Sequence, residues 1–360
     1  MTSPRIRALV LAAGHGTRLR PLTDFLPKPL LPVAGRTVLD YTLDALIDAG
    51  CEAAAVNLHH LGDQIRGHYG DSYRGMPLEW SEEKGERQGT LGALYPLRDF
   101  LGQADLVVLI NGDTLCPWPL SRLIRSHRAD RAAATLMLTT RVDPEGFAGG
   151  VGIDAEGRVL SFFRGATERG TVVRRAVFAG AHVISPRLLE RIEPGPSDIV
   201  RKLYIPLLEE QGDEGAIHAI PSRRRWHDLG TPQRYLEGVL DWGRGEWPGR
   251  FWRRCWVSPG ATVEPGARIV SSVVESGAHV ASGAVVERSV VLARARIECG
   301  ARIAESVVGC DVTLPSDARI EHRMINVARD GVHVEDPDSH VGGLVYTPLD
   351  VVRRTANPGL

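Results

Sequence analysis

Apolar runs of strand length alternate with amphipathic runs in the first two thirds of the chain. Ile6–Leu11 and Leu106–Ile110 are short apolar runs typical of buried strands, while Thr37–Ala49 has the spacing of an amphipathic helix. Further helices are predicted at Leu61–His68, Thr90–Phe100, Pro119–Arg128, Asp198–Glu210 and Pro232–Trp242, and further strands at Glu52–Asn57 and Ala132–Leu138. This alternation predicts an α/β fold with a Rossmann-like, mostly parallel sheet covered by helices on both faces.

Between Gly149 and Ile184 the helical spacing disappears and strand-like runs take over. These runs are Gly150–Ile153, Val159–Phe163 and Ala176–Ile184. We expect this stretch to form a lid or an insertion on the substrate side of the sheet.

A strict repeat of 17 residues begins after residue 256. Aliphatic residues recur with gaps of 6, 6 and 5 at Val257, Val263, Ile269, Val274, Val280, Val286, Val291, Ile297, Ile303, Val308, Leu314 and Ile320. A turn every five or six residues, each with an inward aliphatic side chain, is what a three-sided parallel β-solenoid requires. The repeat resembles the left-handed hexapeptide β-helix and predicts a C-terminal left-handed parallel β-helix of about four coils.

These patterns predict four segments. We expect the α/β domain over residues 1–243, a linker rich in Gly, Trp and Arg over 244–256, the β-helix over 257–323 and a tail without an assigned role over 324–360. The linker tryptophans are expected to pack one domain against the next rather than to stack on nucleic-acid bases.

Composition excludes several classes of protein. The net charge of −1 gives no reason to expect binding to nucleic acid or to an anionic membrane. The five cysteines are scattered without a CxxC spacing, which argues against a disulfide framework and a structural zinc site. No apolar run approaches the roughly 20 residues of a membrane helix. We therefore expect a cytoplasmic protein.

The loop after the first strand carries the residues best suited to bind phosphate. Gly14 and Gly16 allow backbone N–H groups to approach an anion, and Arg18 adds a fork of donors. Lys28 follows in a chain where only three of the 43 basic residues are lysines, which favours a specific use of its compact ammonium group. The loop has neither the GxGxxG of dinucleotide-binding folds nor the GK[ST] of P-loops.

Four motifs together resemble those of the sugar-1-phosphate nucleotidylyltransferases. The first is GHGTRLRPLT at 14–23 with PKPL at 27–30; the second is GTLGAL at 89–94, preceded by Glu82 and Glu83. The third is NGD at 111–113 after the buried strand, and the fourth is WHDLGTP at 226–232. They occur in the family's order, and a β-helix is a common C-terminal companion of this family.

The resemblance implies a reaction and a site. A sugar-1-phosphate attacks the α-phosphate of a nucleoside triphosphate and pyrophosphate leaves, with Arg18 and Lys28 as the catalytic cations. Asp113 and Asp228 would bind Mg²⁺, which fits their expected positions after strands. Nucleotide-binding positions would be Leu11, Ala12, Ala13, Gly14, Gly16, Thr17, Arg18, Gln88, Gly89 and Thr90, and substrate-binding positions Asn111, Gly150, Arg164 and Gly180.

The motifs are compatible with more than one base and more than one sugar. Many relatives have Glu-Lys-Pro where this chain has Phe163-Arg164-Gly165, so Arg164 either replaces the lysine that holds the sugar phosphate or is an exposed arginine. The β-helix favours guanylyl transfer to mannose 1-phosphate or a heptose analogue. The alternative is uridylyl, thymidylyl or adenylyl transfer to glucose 1-phosphate.

Two other classes of function compete with this reading. A bifunctional acyltransferase would need a catalytic histidine in the β-helix. The repeat contains only His279, and His322 follows just after its last aliphatic anchor, Ile320. A non-catalytic regulatory homologue would be expected to lack the basic or acidic site residues, which are all present here. We expect nucleoside triphosphate and sugar-1-phosphate as ligands, and a homo-oligomer formed through the β-helix.

Overall fold

The computed structural model describes residues 4–163, 170–210, 216–242 and 255–351. The described residues form two compact units. The first combines those of Met1–Gly14 with Leu39–Trp226, and the second combines His15–Val38 with those of His227–Leu360. The short segment after the first strand therefore belongs to the same unit as the C-terminal part of the chain.

The elements of the N-terminal two thirds are short and regular. The strands are β1 (Ile6–Leu11), β2 (Pro32–Val33), β3 (Arg36–Thr37), β4 (Ala53–Leu58), β5 (Ser72–Tyr73), β6 (Met76–Glu82), β7 (Leu106–Asn111), β8 (Thr114–Leu115), β9 (Ala134–Thr139), β10 (Val151–Ile153), β11 (Val159–Ser161), β12 (Arg174–Ile184), β13 (Ile217–Ser222) and β14 (His227–Asp228). The α-helices are α1 (Val38–Asp48), α2 (Gly62–Tyr69), α3 (Gly89–Gly92), α4 (Arg98–Leu101), α5 (Leu120–Asp130), α6 (Ile205–Glu209) and α7 (Pro232–Trp242).

The first unit is built on one large sheet in the order β11-β10-β12-β7-β1-β4-β6-β5, in which β9 pairs with β12 and β13. Strands β7, β1, β4 and β6 are parallel neighbours, and β9 and β13 are also parallel. The apolar runs predicted as strands are buried, and all six residues of β4 are inaccessible to solvent or nearly so. The mostly parallel α/β sheet predicted from the sequence is confirmed.

The expectation of a separate lid or insertion between Gly149 and Ile184 is wrong for its last strand. Ala181–Ile184 of β12 pairs antiparallel with β7, and β9 lies on the other side of this segment. Only the beginning of β12 pairs with β10. The sheet interior therefore takes in β12, and Ala181–Ile184 at its end is buried throughout, including His182.

Prolines explain two further differences from the sequence prediction. The helix expected over Thr90–Phe100 is divided into α3, a 3₁₀ turn at Tyr95–Leu97 and α4, because Pro96 cannot donate a backbone hydrogen bond. Strands β6 and β13 were not predicted, and each contains a proline, Pro77 or Pro221. Proline cannot donate a ladder hydrogen bond and therefore argues against a strand when a sequence is read alone. For this reason neither segment was predicted as a strand.

The C-terminal repeat forms three sheets of stacked parallel strands. The strands are β15 (Trp256–Val257), β16 (Thr262–Val263), β17 (Arg268–Val270), β18 (Val273–Val274), β19 (His279–Val280), β20 (Val285–Glu287), β21 (Val290–Val291), β22 (Arg296–Ile297), β23 (Arg302–Ala304), β24 (Val307–Val308), β25 (Thr313–Leu314), β26 (Arg319–Glu321), β27 (Arg323–Val327), β28 (Ser339–Val341) and β29 (Leu344–Pro348). From β15 to β24, each strand pairs in parallel with the strand 17 residues later, and the aliphatic anchors form a continuous core. The predicted β-helix is confirmed.

A buried serine ladder stabilises one corner of the β-helix. The Ser289 N–H donates to Ser272 Oγ and the Ser306 N–H donates to Ser289 Oγ, at 3.0 and 3.1 Å. Each hydroxyl donates in turn to a carbonyl two residues earlier. The 17-residue repeat of serine therefore satisfies backbone groups that the tight corner would otherwise bury unpaired.

The beginning of the tail continues the β-helix. Met324 and Ile325 on β27 pair in parallel with β24. Ile325 lies five residues after Ile320 and therefore extends the aliphatic repeat by one position. Strand β29 then pairs antiparallel with β27 and β28, which ends the parallel stack.

The linker expected over 244–256 lies mostly outside the described residues. No helix in the described ranges combines the length and the apolar character needed to cross a bilayer.

Candidate active site

In the first unit, the end of β1 is held by a buried asparagine on the neighbouring strand. Leu11 lies opposite Asn57 on β4 and Asn111 on β7. Asn57 is 3% exposed, and its Oδ1 accepts a 2.7 Å hydrogen bond from the backbone N–H of Ala12. The Ala12 N–H, one of the expected nucleotide-binding groups, is therefore engaged within the protein.

Glu83 connects this loop to the second motif. Asn57 Nδ2 donates to Glu83 Oε1 at 2.6 Å, and the backbone N–H of Gln88 donates to Glu83 Oε2 at 2.9 Å. Ala12 and Gln88 are thus joined through two side chains. Sequence reasoning did not select Asn57; the available signal was a polar residue at the end of an otherwise apolar strand.

Gly89 and Thr90 fasten helix α3 to the segment 195–199. Gly89 has a φ of +72°, and a Cβ there would lie 2.6 Å from the Ser197 carbonyl oxygen. The Thr90 hydroxyl donates to Asp198 Oδ2 at 3.3 Å and accepts from the Ile199 N–H at 2.9 Å. Both residues position the second motif through contacts inside the first unit.

Asn111 and Gly180 meet at a bulge in the large sheet. The pairing of β12 with β9 shifts register between Phe178 and His182, and Gly180 in the bulge has a φ of +90°. A Cβ at Gly180 would overlap the Asn111 side-chain amide, so only glycine leaves room for it. Trp226 Nε1 donates to the carbonyl of Ala179 at 2.8 Å and holds the bulge.

The other substrate-side positions are only partly described. Gly150 has a φ of +64°, and a Cβ there would lie 2.6 Å from the Ala176 carbonyl oxygen. The Arg175 guanidinium donates to the carbonyls of Gly149 and Gly150 at 3.4 Å and to Ser161 Oγ at 3.3 Å. Arg164 lies outside the described residues. Sequence reasoning missed Arg175, which no motif singled out.

In the second unit, the glycine-rich loop is folded around Gly16. Gly16 has a φ of +67° and precedes a 3₁₀ turn over Thr17–Leu19. Thr23 Oγ1 donates to the Gly16 carbonyl at 2.7 Å, and a Cβ at Gly16 would lie 2.9 Å from Thr23 Cγ2. The glycine and the threonine of the first motif are thus required for one compact turn, which presents Arg18. Gly14 ends the part of the loop that belongs to the first unit.

Arg18 and Asp228 approach the same small space beside Gly230. A Cβ at Gly230 would lie 2.8 Å from Arg18 Nη2 and 2.8 Å from Asp228 Oδ1. The other carboxylate oxygen of Asp228 pairs with Arg234 Nη1 at 2.7 Å. Arg234 was not selected from the sequence because it lies outside the four motifs. It is in the first turn of α7, six residues after Asp228. The Asp228 carboxylate is thus paired with Arg234, and Arg18 comes close to the same space beside Gly230.

Lys28 is buried, with 8% of its surface exposed. It begins a 3₁₀ turn over Lys28–Leu30, in which the Leu31 N–H donates to the Lys28 carbonyl at 3.0 Å. Lysine is rarely buried unless its ammonium group has a specific partner or ligand. Burial therefore supports a role for this lysine beyond surface charge.

The carboxylates expected to bind metal lie in different units. Asp113 follows the buried strand β7 in the first unit, and Asp228 ends β14 in the second. Within the described residues, no group of three or more His, Cys, Asp or Glu side chains is placed to hold a metal ion.

The chain is similar to known proteins over both parts. The profile of the Nucleotidyl transferase family matches residues 7–243, and that of the GMPPB C-terminal domain matches residues 251–356. A mannose-1-phosphate guanylyltransferase of Mycobacterium tuberculosis is 33% identical over 279 residues, which is 76% of each chain.

Two animal proteins show a similar likeness. Mannose-1-phosphate guanyltransferase beta-B of Xenopus laevis is 30% identical over 73% of each chain. The mannose-1-phosphate guanylyltransferase catalytic subunit beta of Drosophila pseudoobscura pseudoobscura is 31% identical over 65% of this chain and 61% of its own length.

Proposed function

The chain belongs to the Nucleotidyl transferase family as a sugar-1-phosphate nucleotidylyltransferase, and we propose that it transfers a guanylyl group from GTP to mannose 1-phosphate. The observation that carries the chemistry is the approach of Arg18 and Asp228 to one space beside Gly230. The choice of guanine and mannose is supported by the names of the relatives rather than by the geometry.

In the proposed reaction, a phosphate oxygen of the sugar phosphate attacks the α-phosphorus of GTP. The new O–P bond gives GDP-mannose, and the bond from the α-phosphorus to the β-phosphate oxygen breaks to release pyrophosphate. The nucleophile is already an anion, so no side chain has to remove a proton. Positioning and neutralisation of phosphate charge then supply the rate enhancement.

The cations of the second unit would divide this work. Arg18 would bind the β- and γ-phosphates with its planar fork of donors and stabilise the leaving pyrophosphate. Lys28 would contact the α-phosphate as negative charge grows there. Arg234 would keep the Asp228 carboxylate in its orientation, since the two are paired at 2.7 Å.

Members of this family use a divalent metal ion, and we propose Mg²⁺. The donor chemistry fits this ion, because Asp113 and Asp228 would each offer the hard oxygen ligands that Mg²⁺ prefers and Gly230 leaves space beside the Asp228 carboxylate. Phosphate oxygens and water would complete the coordination, as is usual for this ion. When bound, the ion neutralises charge on the phosphate oxygens.

The first unit would recognise the base and the sugar. The backbone over Leu11–Ala13 and Gln88 would bind the nucleoside, with Asn57 and Glu83 fixing the distance between these two segments. Asn111, Gly150 and Gly180 would contact the sugar, and Arg164 its phosphate. Gly14, at the end of the first segment of this unit, and Gly16 and Thr17 of the second unit would supply backbone N–H groups to the triphosphate.

Location and assembly also remain proposals. We place the enzyme in the cytoplasm, where its substrates would be a nucleoside triphosphate and a sugar phosphate. The β-helix would mediate self-association, which sedimentation at micromolar protein concentration would test; a monomer would contradict it.

The experiment is a substrate panel with pyrophosphate release as the readout. The full chain is incubated with Mg²⁺, each nucleoside triphosphate and each of several sugar-1-phosphates. Asp113→Ala serves as the inactive variant, and Asp71→Ala, at an exposed aspartate outside the motifs, serves as the matched control. We expect release with GTP and mannose 1-phosphate from the wild type and Asp71→Ala but not from Asp113→Ala.

Other outcomes would revise the proposal in distinct ways. Release with another pair would retain the reaction and replace the substrates. No release with any pair, from folded protein that still binds nucleotide, would favour a regulatory homologue. Full activity of Asp113→Ala would contradict the metal-binding role of Asp113.

A further inference from the structure

The segment that carries Arg18 and Lys28 is held at several points by residues far along the chain. His15–Val38 and His227–Leu360 belong to one compact unit. The contacts join residues 203 to 309 positions apart, and they surround Lys28 on both sides in sequence.

The first anchor holds Asp24, four residues before Lys28. The backbone N–H of His333 donates to Asp24 Oδ2 at 2.9 Å, and His333 Nδ1 lies 2.8 Å from Asp24 Oδ1. Arg20 Nε lies 3.1 Å from the same Oδ1. The Asp24 side chain is only 3% exposed, so the loop before strand β28 covers it.

The second anchor is Glu275 of the β-helix, which binds the turn between β2 and β3. The Gly35 N–H donates to both carboxylate oxygens, at 3.2 and 3.1 Å, and the Ala34 N–H also donates to this carboxylate. Gly35 has a φ of +79°, and a Cβ there would lie 2.7 Å from the ring of Trp256. The turn is therefore fixed by hydrogen bonds and by close packing.

A third contact lies between these two anchors. The hydroxyl of the fully buried Tyr235 on α7 donates to the carbonyl of Pro32 at 2.7 Å. The backbone from Asp24 to Gly35 is thus tied to a tail loop, a helix and the β-helix, and Lys28 lies inside this stretch.

The repeat of the β-helix does not itself require a carboxylate at position 275. The equivalent position one coil later is Leu292, which is fully buried. Glu275 is 3% exposed, and burial raises its pKa to about 7 despite the two backbone hydrogen bonds. A buried carboxylate is costly compared with a packed leucine, so its presence needs a reason other than stability of the coil.

We propose that Glu275 and His333 are positioning residues for catalysis, through which the β-helix and the tail hold the Lys28 segment in its active geometry. The tail and the β-helix would then be part of the catalytic apparatus rather than only a surface for assembly. The inference rests on the proposed function only for the part of the test that measures activity. The other part, which measures the accessibility of Lys28, needs no substrate.

The structural arm measures the reactivity of Lys28 toward an amine-acylating reagent such as acetic anhydride. The chain has three lysines, of which Lys28 is buried while Lys84 and Lys202 are exposed. Mass spectrometry of the full-length protein after timed labelling gives the rate at Lys28 relative to the two exposed lysines. Loss of an anchor should raise this ratio.

The decisive variant is Glu275→Leu, which copies the next coil and so keeps the β-helix packed while removing the anchor. Glu264→Leu is the matched control, since Glu264 also accepts a backbone N–H within the β-helix, that of Ser282, but does not touch the Lys28 segment. We expect about a tenfold rise of the Lys28 ratio in Glu275→Leu, a rise of about two- to fivefold in His333→Ala, and no change in Glu264→Leu, on the scale of losing one or two hydrogen bonds.

The activity arm separates positioning from general loss of structure. We expect kcat to fall about tenfold in Glu275→Leu with both KM values within about twofold, because the Lys28 contact is made as charge develops. Unchanged Lys28 labelling in Glu275→Leu, or an equal rise in Glu264→Leu, would overturn the proposal. If no substrate pair is turned over, the labelling result still decides the structural claim, so failure of the proposed function is distinguishable.

Discussion

The two segments expected to bind the nucleotide are held in place in different ways. The segment Gln88–Gly92 is held inside the first unit, by Glu83 five residues earlier and by residues 195–199. The segment with Arg18 and Lys28 is held by Tyr235, Glu275 and His333, which are more than 200 residues away. The first segment is supported from within its own domain, whereas the second depends on the C-terminal part of the chain.

This difference indicates a division of tasks. In the proposed reaction the first segment would recognise the nucleoside, for which a local brace suffices because the brace and the sheet fold together. The second would carry the charges that act on the reacting phosphates, where a small displacement would lower the rate strongly. Perturbing each support should therefore change a different kinetic constant.

The largest effect is expected from removal of the buried lysine itself. Lys28→Ala should lower kcat by about 10²–10³-fold, the usual scale for loss of one electrostatic stabiliser. Lys84→Ala, at an exposed lysine, is the control and should keep its activity. Steady-state pyrophosphate release is the measurement, and a Lys28→Ala enzyme with more than half of the wild-type kcat would refute the role.

The second effect concerns pH. It tests how much the burial of the Glu275 carboxylate lowers the free energy of unfolding. The pKa of Glu275 is raised from its ordinary 4.5 to about 7 by burial, so the folded state holds a proton there that the unfolded chain has already released. Stability should therefore fall as pH rises from about 4.5 to 7 and then level off. The titratable group next to Glu275 is Tyr235, which also has Cys310 nearby. Burial keeps the pKa of Tyr235 well above its ordinary value.

Urea unfolding of the wild type and of Glu275→Gln between pH 5 and 8 measures this dependence. The free energy of unfolding of the wild type, minus that of the variant, should decrease by about 1–3 kcal/mol over the interval. Parallel curves for the two proteins would show that Glu275 does not titrate in this range.

A third effect addresses the local brace. Asn57→Ala removes the acceptor of the Ala12 N–H and the donor to Glu83, so the nucleoside segments should lose their spacing. We expect KM for GTP to rise about tenfold, with kcat changed less than threefold, as for a loss of uniform binding. Gln103→Ala, at an exposed amide that bonds only a local carbonyl, is the comparison. A fall in kcat at constant KM would remove the proposed division of tasks.

The smallest effect concerns a support that neither segment uses. Ser289→Ala interrupts the serine ladder of the β-helix and should lower the free energy of unfolding by about 1–2 kcal/mol. Lys28 labelling and kcat should stay unchanged in the native protein. Ser276→Ala, at an exposed serine of the same coil region, should leave stability within about 0.5 kcal/mol. A large loss of kcat in Ser289→Ala would mean that any damage to the β-helix reaches the Lys28 segment.

Much of the fold could be read from periodicity because it follows from local patterns. Helix α7 agrees with its predicted bounds, β1 begins and ends as predicted, and the 17-residue repeat determined the register of the β-helix. Prediction failed where a local signal opposed the tertiary context. Pro77 and Pro221 obscured β6 and β13, and the run that ends at Ile184 was separated from the sheet whose interior it joins.

The site shows the same limit. Motifs selected Arg18, Lys28, Asp113 and Asp228, because the chemistry of phosphate transfer needs these residue types in a recognisable order. Asn57, Arg234 and Glu275 were missed because they lie outside these motifs. Asn57 and Glu275 contact partners that are distant in sequence, and Arg234 pairs with Asp228 six residues earlier.

The sequence by itself determined the α/β class, the β-helix and the set of charged groups proposed for the site, because hydrophobic spacing and motif chemistry are local properties of the chain. Only the tertiary structure decided what holds those groups. The pairing of Asn57 with Ala12, of Gly230 with Arg18 and Asp228, and of Glu275 with the turn at Gly35 depends on chain paths brought together by folding. No periodicity encodes such contacts, since hydrogen bonds and steric fit are satisfied in space rather than along the chain.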